Sequence, residues 1–241
     1  MDERFDRTRM LLGDEAMEKL ANARVAVFGV GGVGGSCVEA LARAGVGALE
    51  LVDNDTVSVS NINRQIVATD ETVGMSKTEA AARRIRLINP ACRVTERRVF
   101  FLPENAADFD FTAFDYAADC IDTLAGKLRI ALSAKEAGIP SIHAMGAGNK
   151  TDPTRFRVTD LFETAGDPLA RAMRAECRRR GITRLKVVFS DEPPLTPLVS
   201  LPAPPGKRAT PGSLSFVPPA AGLIMAGEIV LDLIGFRRGD R

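Results

Sequence analysis

The 241-residue sequence contains no tryptophan, one tyrosine and one histidine, and its positive and negative charges almost cancel. The near absence of Trp and Tyr argues against a protein anchored by an aromatic belt at a membrane interface. With 32 Lys and Arg against 31 Asp and Glu, the formal net charge is +1. That balance excludes a strongly basic nucleic-acid coat and an acidic disordered tail, but it allows a local charged patch.

Cysteine and histidine are too sparse for the usual zinc motifs. The four cysteines are Cys37, Cys92, Cys120 and Cys177. They form no C-x-x-C pair, and the single histidine, His143, cannot form H-E-x-x-H, so no structural zinc site is expected and His143 is assigned a structural role. The start, MDERFDRTRM, is charged from its second residue and has no apolar core typical of a secretory signal. We therefore expect a protein of the reducing cytoplasm, with no membrane partner.

Short apolar runs alternate with helical patterns through the first 150 residues. We predict strands at residues 24–30, 48–52, 93–99, 116–121 and 141–144, and helices at residues 33–44, 76–89 and 125–137. Ser76 and Glu79 are spaced as a capping box for the second of these helices, and Pro90 ends it. The alternation predicts an α/β fold with a Rossmann-like, doubly wound and mostly parallel sheet.

The pattern changes after residue 148, where we predict a C-terminal extension of extra strands and a final helix. The strands are expected at 155–159 and 185–190, around a helix that Asp167 caps and Pro168 opens. Residues 193–219 are rich in Pro and Gly and predict an irregular loop. The final helix, 220–234, is interrupted by Glu228 and Asp232, which favours a buried helix over a membrane span. We expect one domain over 1–241, with a nucleotide-binding half at 1–150 and a substrate-facing half at 151–241.

A glycine-rich loop follows the first predicted strand. Gly29, Gly31 and Gly34 form G-x-G-x-x-G between a strand and a helix, and Asp53 lies 19 residues beyond Gly34 at the end of the next strand. Backbone N–H groups in such a loop can approach a phosphate, and the carboxylate can accept hydrogen bonds from ribose hydroxyls. A glycine turn that merely packs the helix closely is the alternative.

Two cations after Asp53 favour a triphosphate over a nicotinamide cofactor. Arg64 suits a fork-like grip on phosphate oxygens, and Lys77, in the first turn of its helix, suits a point contact. Cleavage of a triphosphate builds negative charge on the phosphate oxygens, which hydride transfer does not. We therefore predict ATP as the nucleotide.

An aspartate at the end of the fourth predicted strand is a candidate Mg²⁺ ligand. Asp122 stands at the carboxyl edge of the sheet, where a carboxylate can hold Mg²⁺ against a triphosphate. Asp119 on the same strand is the rival, but it lies nearer the strand interior. The alternative role for Asp122 is an N-cap for the following helix.

Together these residues resemble the superfamily of ubiquitin-activating, ThiF-like and MoeB-like adenylating enzymes. The motifs that carry the resemblance are Arg4-Phe5-x-Arg7, GVGGVG, D-x-D-x-V-x-x-x-N-x-x-R-Q from Asp53, V-G-x-x-K ending at Lys77, and the Asp122 strand. The later motifs Val158-Thr-Asp160, Asp167-Pro-Leu-Ala170, Val188-Phe-Ser190 and Gly212 to Gly222 resemble one branch, the tRNA threonylcarbamoyladenosine dehydratases. The resemblance thus covers nearly the whole chain.

That branch implies an ATP-dependent, tRNA-modifying enzyme. It adenylates the threonyl carboxylate of N6-threonylcarbamoyladenosine at tRNA position 37, and attack within the modified base then closes a ring with net loss of water. The implied catalytic residues are Arg64, Lys77, Asp122 and Arg7, the last reaching into the partner's site in a homodimer. The implied ATP-binding residues are Gly29, Gly31, Gly32, Gly34, Asp53, Asn61, Arg64, Gln65 and Lys77, with Asp122 at Mg²⁺. An exposed arginine in a polar segment is the alternative for Arg7.

Two differences from related enzymes favour the tRNA-modifying branch over the enzymes that charge sulfur carriers. Relatives that charge small sulfur carriers commonly have two C-x-x-C pairs, and many carry a nucleophilic cysteine shortly before the segment matching Val188-Phe-Ser190; this chain has neither. Cys177 is instead expected to pack as a small apolar residue. Adenylation of the C-terminal glycine of a ubiquitin-like sulfur carrier remains the alternative function, followed by a nicotinamide-binding dehydrogenase and an idle scaffold, and a sulfur-transfer partner is left open.

A basic segment offers a place for the tRNA. Residues 166–190 contain seven basic and two acidic side chains, so the rest of the chain is acidic. Its predicted helix carries Arg171, Arg174 and Arg178 on one face, continued by Arg179 and Arg180. We predict contact with the tRNA backbone; a solvated helix face is the alternative.

Overall fold

A seven-stranded sheet forms the centre of the molecule, which the computed structural model describes at residues 2–199, 201 and 210–236. The strands are β1 (Arg24–Phe28), β2 (Ala48–Val52), β3 (Arg93–Arg97), β4 (Tyr116–Asp119), β5 (Ser141–Ala144), β6 (Phe156–Asp160) and β7 (Lys186–Ser190). Their order is β3-β2-β1-β4-β5-β7-β6, and only β6 runs antiparallel to its neighbour. The predicted α/β class with a mostly parallel, doubly wound sheet is confirmed.

In the part of the chain that the structure describes, seven α-helices surround the sheet. They are α1 (Asp6–Leu12), α2 (Asp14–Asn22), α3 (Gly32–Ala44), α4 (Lys77–Ile88), α5 (Leu124–Ala137), α6 (Pro168–Arg179) and α7 (Val217–Ile234). Helices α3, α4 and α7 share one apolar core with β1 and β4, while α5 packs with phenylalanine-rich loops on the opposite face, and α6 packs there with β7. Because both faces are covered, β2 and β4 are buried along their whole length.

Local capping signals place two helices as predicted. The Ser76 side chain accepts the N–H of Glu79 at 3.2 Å, so Ser76 is the N-cap of α4. The Asp167 carboxylate accepts the N–H of Ala170 at 2.7 Å and caps α6, which Pro168 opens. Both helices therefore begin where a side-chain acceptor satisfies first-turn N–H groups.

The final helix differs from its prediction at its start. Helix α7 begins at Val217, three residues before the predicted start, and its first turn contains Pro218 and Pro219. Proline needs no N–H acceptor in the first helical turn, so these prolines open the helix instead of preceding it. The described parts of the predicted loop, 193–199, 201 and 210–216, contain no helix or strand; residues 200 and 202–209 lie outside the described residues.

Helix α7 is long and apolar enough to cross a membrane by length and composition alone, with a mean hydropathy of 1.6 over 18 residues. In the structure it packs on α3, and its residues Val217, Ala221, Met225 and Ile229 are all at most 1% exposed. The spacing of four places these residues on one face. One face of α7 is thus buried in the core as predicted, while Leu223 on another face is 56% exposed.

The contact between α3 and α7 is close because a glycine lies at it. A Cβ atom added to Gly222 would overlap the carbonyl oxygen of Val33 and would lie 3.0 Å from the backbone nitrogen of Cys37. Both of these partners are backbone atoms of the first turns of α3, which cannot move aside alone. Gly222 thus sets the distance at which α7 holds the start of α3.

We predict that Gly222→Ala destabilises the fold by about 1–3 kcal/mol, because the added methyl group forces α3 and α7 apart. Gly227 on the same helix is the matched control, since a Cβ atom there would meet nothing within 4 Å. Gly227→Ala should stabilise the protein by about 0.5–1 kcal/mol through its effect on helix propensity. Urea unfolding measures both changes, and equal stabilities of the two variants would contradict the close contact.

Candidate functional site

The glycine loop joins β1 to α3 at the carboxyl edge of the sheet. Gly29 has φ +88°, donates its N–H to Val52 at 2.7 Å, and would place a Cβ atom 2.9 Å from the carbonyl oxygen of Cys120. A Cβ atom on Gly34 would overlap the carbonyl oxygen of Gly29. Close packing therefore requires glycine at both positions, while their part in nucleotide binding stays a prediction.

Gly31 has a different environment. The nearest atom to a Cβ atom added there is Nε2 of Gln65, at 3.9 Å, so the loop leaves space on this side. Gly31 is also the N-cap of α3 and has no side chain that could accept a hydrogen bond. The first-turn N–H groups of α3 thus lack a side-chain acceptor, and together with the helix dipole they favour an anion at this position.

Asp53 connects the glycine loop to the turn after β2. Its Oδ2 accepts the N–H of Val30 at 2.6 Å, and its Oδ1 accepts the N–H of Asp55 at 2.9 Å. An ionised carboxylate has about four acceptor positions, so two remain for hydroxyl donors. Asp53 therefore holds the loop in place and can still accept hydrogen bonds from a ribose.

Arg64 is a half-buried cation beside the start of α3. A Cβ atom on Gly32 would lie 3.4 Å from the Arg64 carbonyl oxygen and 3.6 Å from its Cγ. Its Nη1 donates to the Ser60 carbonyl and to Oδ1 of Asn63, both at 2.9 Å. Burial lowers the pKa of Arg64, and no carboxylate of the described residues contributes to it. This uncompensated positive charge adds to that of the helix terminus.

Two amides lie on the same side of the site. Gln65 is 6% exposed, and its Oε1 has no hydrogen-bond partner among the described residues. Its Nε2 is the atom that faces Gly31. Asn61 ends a short 3₁₀ turn, Val59–Asn61, and its Oδ1 accepts the N–H of Ser58 at 3.1 Å. Asn61 therefore shapes the turn that presents Arg64, and the unsatisfied Gln65 points toward the space at the loop.

Lys77 is paired with an aspartate that sequence reasoning assigned no role. The Lys77 side chain is only 7% exposed, and its Nζ lies 2.6 Å from Oδ2 of Asp55, which is 60% exposed. The Lys77 N–H also donates to the Asp55 carbonyl at 3.0 Å. Asp55 thus holds Lys77 at the start of α4; its spacing of two from Asp53 was the signal that could have identified it.

Asp122 lies beyond the end of its strand. Strand β4 ends at Asp119, not at residue 121 as predicted, and Asp122 is exposed in the link to α5. The N-cap of α5 is Thr123, so the alternative role of Asp122 as the cap is wrong. No cluster of three His, Cys, Asp or Glu suited to a metal occurs among the residues the structure describes. A single exposed carboxylate fits Mg²⁺, which is usually held by one or two carboxylates together with substrate phosphates and waters.

Asp119, the rival of Asp122, is fully buried and cannot reach a ligand at the surface. It is bound to Lys127 at 3.0 Å and to His143 at 2.6 Å, both also fully buried. Burial alone raises the pKa of Asp119, but the Lys127 charge and the His143 hydrogen bond outweigh it, so the pKa lies below its usual value. His143, predicted to be structural, is thus a partner of this carboxylate.

Arg7 lies far from the glycine loop of its own chain. It is exposed on α1, next to Phe5, whose ring lies 3.6 Å from a Cβ atom placed on Gly45. Gly45 follows the C-terminal end of α3, and α3 is 13 residues, or about 20 Å, long. Within one protomer the structure therefore does not bring Arg7 to the predicted nucleotide site.

The five arginines predicted to contact nucleic acid differ in their surroundings. They are Arg171, Arg174, Arg178, Arg179 and Arg180. All but Arg174 are exposed; Arg174 is partly buried and donates to Oγ1 of Thr164. Arg178 lies over the ring of Phe162, 5.4 Å from its centroid. Glu176 forms ion pairs with both Arg179 and Arg180 and so partly neutralises the end of α6.

Burial disfavours the thiolate form of three cysteines, Cys92, Cys120 and Cys177, whose pKa values are raised. All four cysteines of the chain are free. Burial raises the pKa of Cys92 and of Cys177 to about 11, which leaves about one thiol in ten thousand ionised at neutral pH. Cys177 is fully buried beside Met173 and Ala170, so its predicted apolar packing is confirmed.

Comparison with known proteins gives one family. The ThiF family model matches residues 5–240. The tRNA threonylcarbamoyladenosine dehydratase of Bacillus subtilis is 41% identical over 239 residues, which cover 95% of this chain and 94% of that protein. An adenylyltransferase and sulfurtransferase of Vanderwaltozyma polyspora is 39% identical over 138 residues, which cover 57% of this chain and 31% of that protein.

Solved structures give the same result over the whole fold. Escherichia coli tRNA N6-threonylcarbamoyladenosine dehydratase, TcdA, in complex with ATP has a TM-score of 0.87 to this chain at 35% sequence identity. The match covers 97% of this chain and 94% of that one, and the same protein in complex with AMP gives equal values. The likeness therefore extends through the C-terminal part of the chain as well as its first 150 residues.

Proposed function

The chain belongs to the ThiF family, and from that premise we propose that it is an ATP-dependent tRNA threonylcarbamoyladenosine dehydratase. The observation that carries this function is the likeness to dehydratases over 95% of the chain, C-terminal extension included. The positive edge made by the start of α3 and by Arg64 supports the use of ATP. The protein acts on tRNA, and we place it in the cytoplasm.

The reaction begins with activation of a carboxylate. The threonyl carboxylate of N6-threonylcarbamoyladenosine at tRNA position 37 attacks the α-phosphorus of ATP, and the bond to the β-phosphate oxygen breaks. Pyrophosphate leaves, and an acyl-adenylate is formed. A nucleophilic atom of the same modified base then attacks the activated carbonyl carbon, AMP leaves with one carboxylate oxygen, and the modified base releases a proton to the solvent. A ring closes, so the base has lost the elements of water, while AMP is a far better leaving group than oxide.

The N–H groups and cations of the site stabilise the negative charge that grows on the phosphate oxygens during this first step. The N–H groups at Gly31, Gly32 and the following turn bind phosphate oxygens, as does Arg64 with two N–H donors in one plane. Lys77 supplies a point charge whose position Asp55 fixes. These groups are already in place, so they need little reorganisation as the charge develops.

The remaining groups orient the nucleotide. Asp53 accepts hydrogen bonds from the ribose hydroxyls, and Oε1 of Gln65 accepts one from the bound nucleotide. Asn61 contacts the phosphates from its turn. Mg²⁺, when bound, neutralises charge on the triphosphate, and Asp122 is the carboxylate that holds it. Gly29 and Gly34 keep the loop closely packed.

The sulfur-carrier alternative is less well supported. The adenylyltransferase and sulfurtransferase relative matches only 57% of this chain, and the match to the dehydratase covers 95%. The raised pKa values of Cys92 and Cys177 also disfavour a thioester or persulfide intermediate. We therefore include no sulfur-transfer partner in the proposal.

We expect the purified protein, incubated with ATP, Mg²⁺ and tRNA that carries threonylcarbamoyladenosine, to remove the mass of one water from the modified nucleoside. Mass analysis of the digested tRNA measures this loss. The variants Arg64→Ala and Lys77→Ala should each lower the rate at least about 100-fold, because each removes a cation from the phosphates. Arg83→Ala, on the exposed side of α4, is the matched control with an unchanged rate. Activity with a ubiquitin-like carrier and not with tRNA would refute the function.

We propose that the protein is a homodimer in which Arg7 acts in the partner's site. The distance of Arg7 from its own glycine loop supports this arrangement. We predict that a mixture of Arg7→Ala and Arg64→Ala chains, each inactive alone, recovers about a quarter of wild-type activity, because half of the dimers are mixed and each has one intact site. Adenylation assays after subunit exchange measure the recovery. If Arg7 acts within its own chain, no activity returns.

The exposed arginines of α6 are proposed to contact the tRNA backbone. The double variant Arg171→Glu/Arg178→Glu should weaken tRNA binding and lower the slope of log affinity against log salt by about 0.7 to 0.9 per lost phosphate contact. Arg83→Glu/Arg86→Glu on α4 makes the same change of charge at the opposite edge of the sheet and serves as control. Filter binding over a range of salt concentrations measures both. Equal losses in the two variants would mean that α6 is a solvated face.

A further inference from the structure

A fully buried ion pair lies directly beneath the link that carries Asp122. The Lys127 Nζ donates to Oδ1 and Oδ2 of Asp119 at 3.1 and 3.0 Å, and both side chains are 0% exposed. On its other side, Asp119 Oδ2 lies 2.6 Å from Nδ1 of His143. Since the ionised carboxylate carries no proton, His143 Nδ1 is the donor, and Nε2 pairs with Oγ of Ser141 at 3.0 Å. Each charged atom thus has partners.

The pair also binds both backbone polar groups of one residue, Ile121. The N–H of Ile121 donates to Oδ1 of Asp119 at 3.2 Å, and the Ile121 carbonyl accepts from Lys127 Nζ at 2.9 Å. Ile121 immediately precedes Asp122. The backbone leading into Asp122 is therefore fixed by two buried charges, although Asp122 itself is exposed.

The same link touches the glycine loop. A Cβ atom on Gly29 would lie 2.9 Å from the Cys120 carbonyl oxygen and 3.1 Å from Cγ2 of Ile121. On the other side, a Cβ atom on Gly126 would lie 2.6 Å from Cδ1 of Ile121. The Ile121 side chain thus packs between the glycine loop and the first turn of α5. A shift of Ile121 therefore changes the distance from Asp122 to the glycine loop.

Stability alone does not account for such a pair. Burying two charges costs desolvation energy, and apolar residues of similar volume often replace a buried ion pair without loss of stability. Here the Asp119 carboxylate and the Lys127 ammonium both bind the backbone of Ile121. Ile121 lies between the glycine loop and Asp122, the two parts of the predicted triphosphate site. Fixed groups around a metal ligand commonly govern its affinity for the metal.

We propose that Asp119 and Lys127 are positioning residues that hold Asp122 at a set distance from the glycine loop, with His143 orienting Asp119. The inference rests on the proposed function, because it takes Asp122 to be the carboxylate that serves the metal. None of the three buried residues touches the nucleotide. They act through the backbone N–H and carbonyl of Ile121.

The test replaces both charges at once, so that neither is left buried alone. Asp119→Leu/Lys127→Met should keep its thermal midpoint within a few degrees of wild type. In the nucleotide-free protein, amide hydrogen exchange of the peptide containing residues 121 and 122 should accelerate at least about tenfold. The Mg²⁺ concentration needed for half-maximal ATP binding in calorimetry should rise about 10- to 100-fold. Asp119→Asn/Lys127→Gln offers a second pair of uncharged side chains should the first variant fold poorly.

A second buried carboxylate of the same sheet provides the matched control. Glu50 lies in the middle of β2, two strands from β4, and is paired with Arg24 at 2.6 Å and with Arg97 at 3.2 Å. Both arginine side chains are partly exposed, so replacing Arg24 and Glu50 together leaves Arg97 accessible to water. Arg24→Met/Glu50→Leu should change neither the exchange at residues 121 and 122 nor the Mg²⁺ dependence. If the Asp119 and Lys127 variants also leave both properties unchanged while they remain folded, the positioning role is overturned.

A mutant cycle separates this inference from the proposed function. In an Asp122→Ala background, the double replacement should lower adenylation by no more than about twofold further, because it acts through a group already removed. Full additivity would overturn the positioning role and leave Asp122 as the metal ligand. An Asp122→Ala variant with wild-type Mg²⁺ dependence would instead refute the metal role in the proposed function, whatever the pair does to the Ile121 peptide.

Discussion

The close approach of α3 to backbone atoms on two sides is the constraint on which the rest of the structure depends. At one contact, Gly34 packs on the carbonyl of Gly29; at the other, Gly222 of α7 packs on the carbonyl of Val33. Neither contact has space for a side chain. Together they fix the N-terminus of α3 at the carboxyl edge of the sheet, and the position and direction of the helix dipole follow.

The two cations near this helix terminus differ in whether a carboxylate is paired with them. Arg64 is half-buried without a carboxylate partner among the described residues, and it contributes its full positive charge. Lys77 is nearly buried but shares its charge with the exposed Asp55. Because Asp55 is exposed, water screens its pair with Lys77. The approach of a phosphate to Lys77 therefore costs little desolvation energy. In the proposed function Arg64 raises the affinity for the phosphates, while Asp55 keeps Lys77 in position for them.

Much of this arrangement follows from local sequence, since local hydrogen bonds determine it. Ser76 and Asp167 each cap a helix within three residues, and the glycine spacing identifies the loop. The sequence could not give the side-chain partners that come from other elements, such as Lys127 and His143, which both bind Asp119. The proline-rich pattern also predicts too late a start for α7, because a helix accepts proline in its first turn. Pairing of β6 with β7 likewise needs contacts far apart in the chain.

Asp119 and Asp122 show why residue type and strand position were not enough to assign roles at the sheet edge. Both are aspartates near the end of β4, and only three positions separate them. Because β4 ends at Asp119, the first carboxylate points into the core and must be neutralised there by Lys127. The second stands on an exposed link beyond the strand. A buried carboxylate bound to an ammonium has little capacity left for a ligand, whereas it can fix the backbone that presents its exposed neighbour. The different surroundings of Asp119 and Asp122 thus follow from the residue at which β4 ends, which is two residues earlier than the apolar pattern predicts.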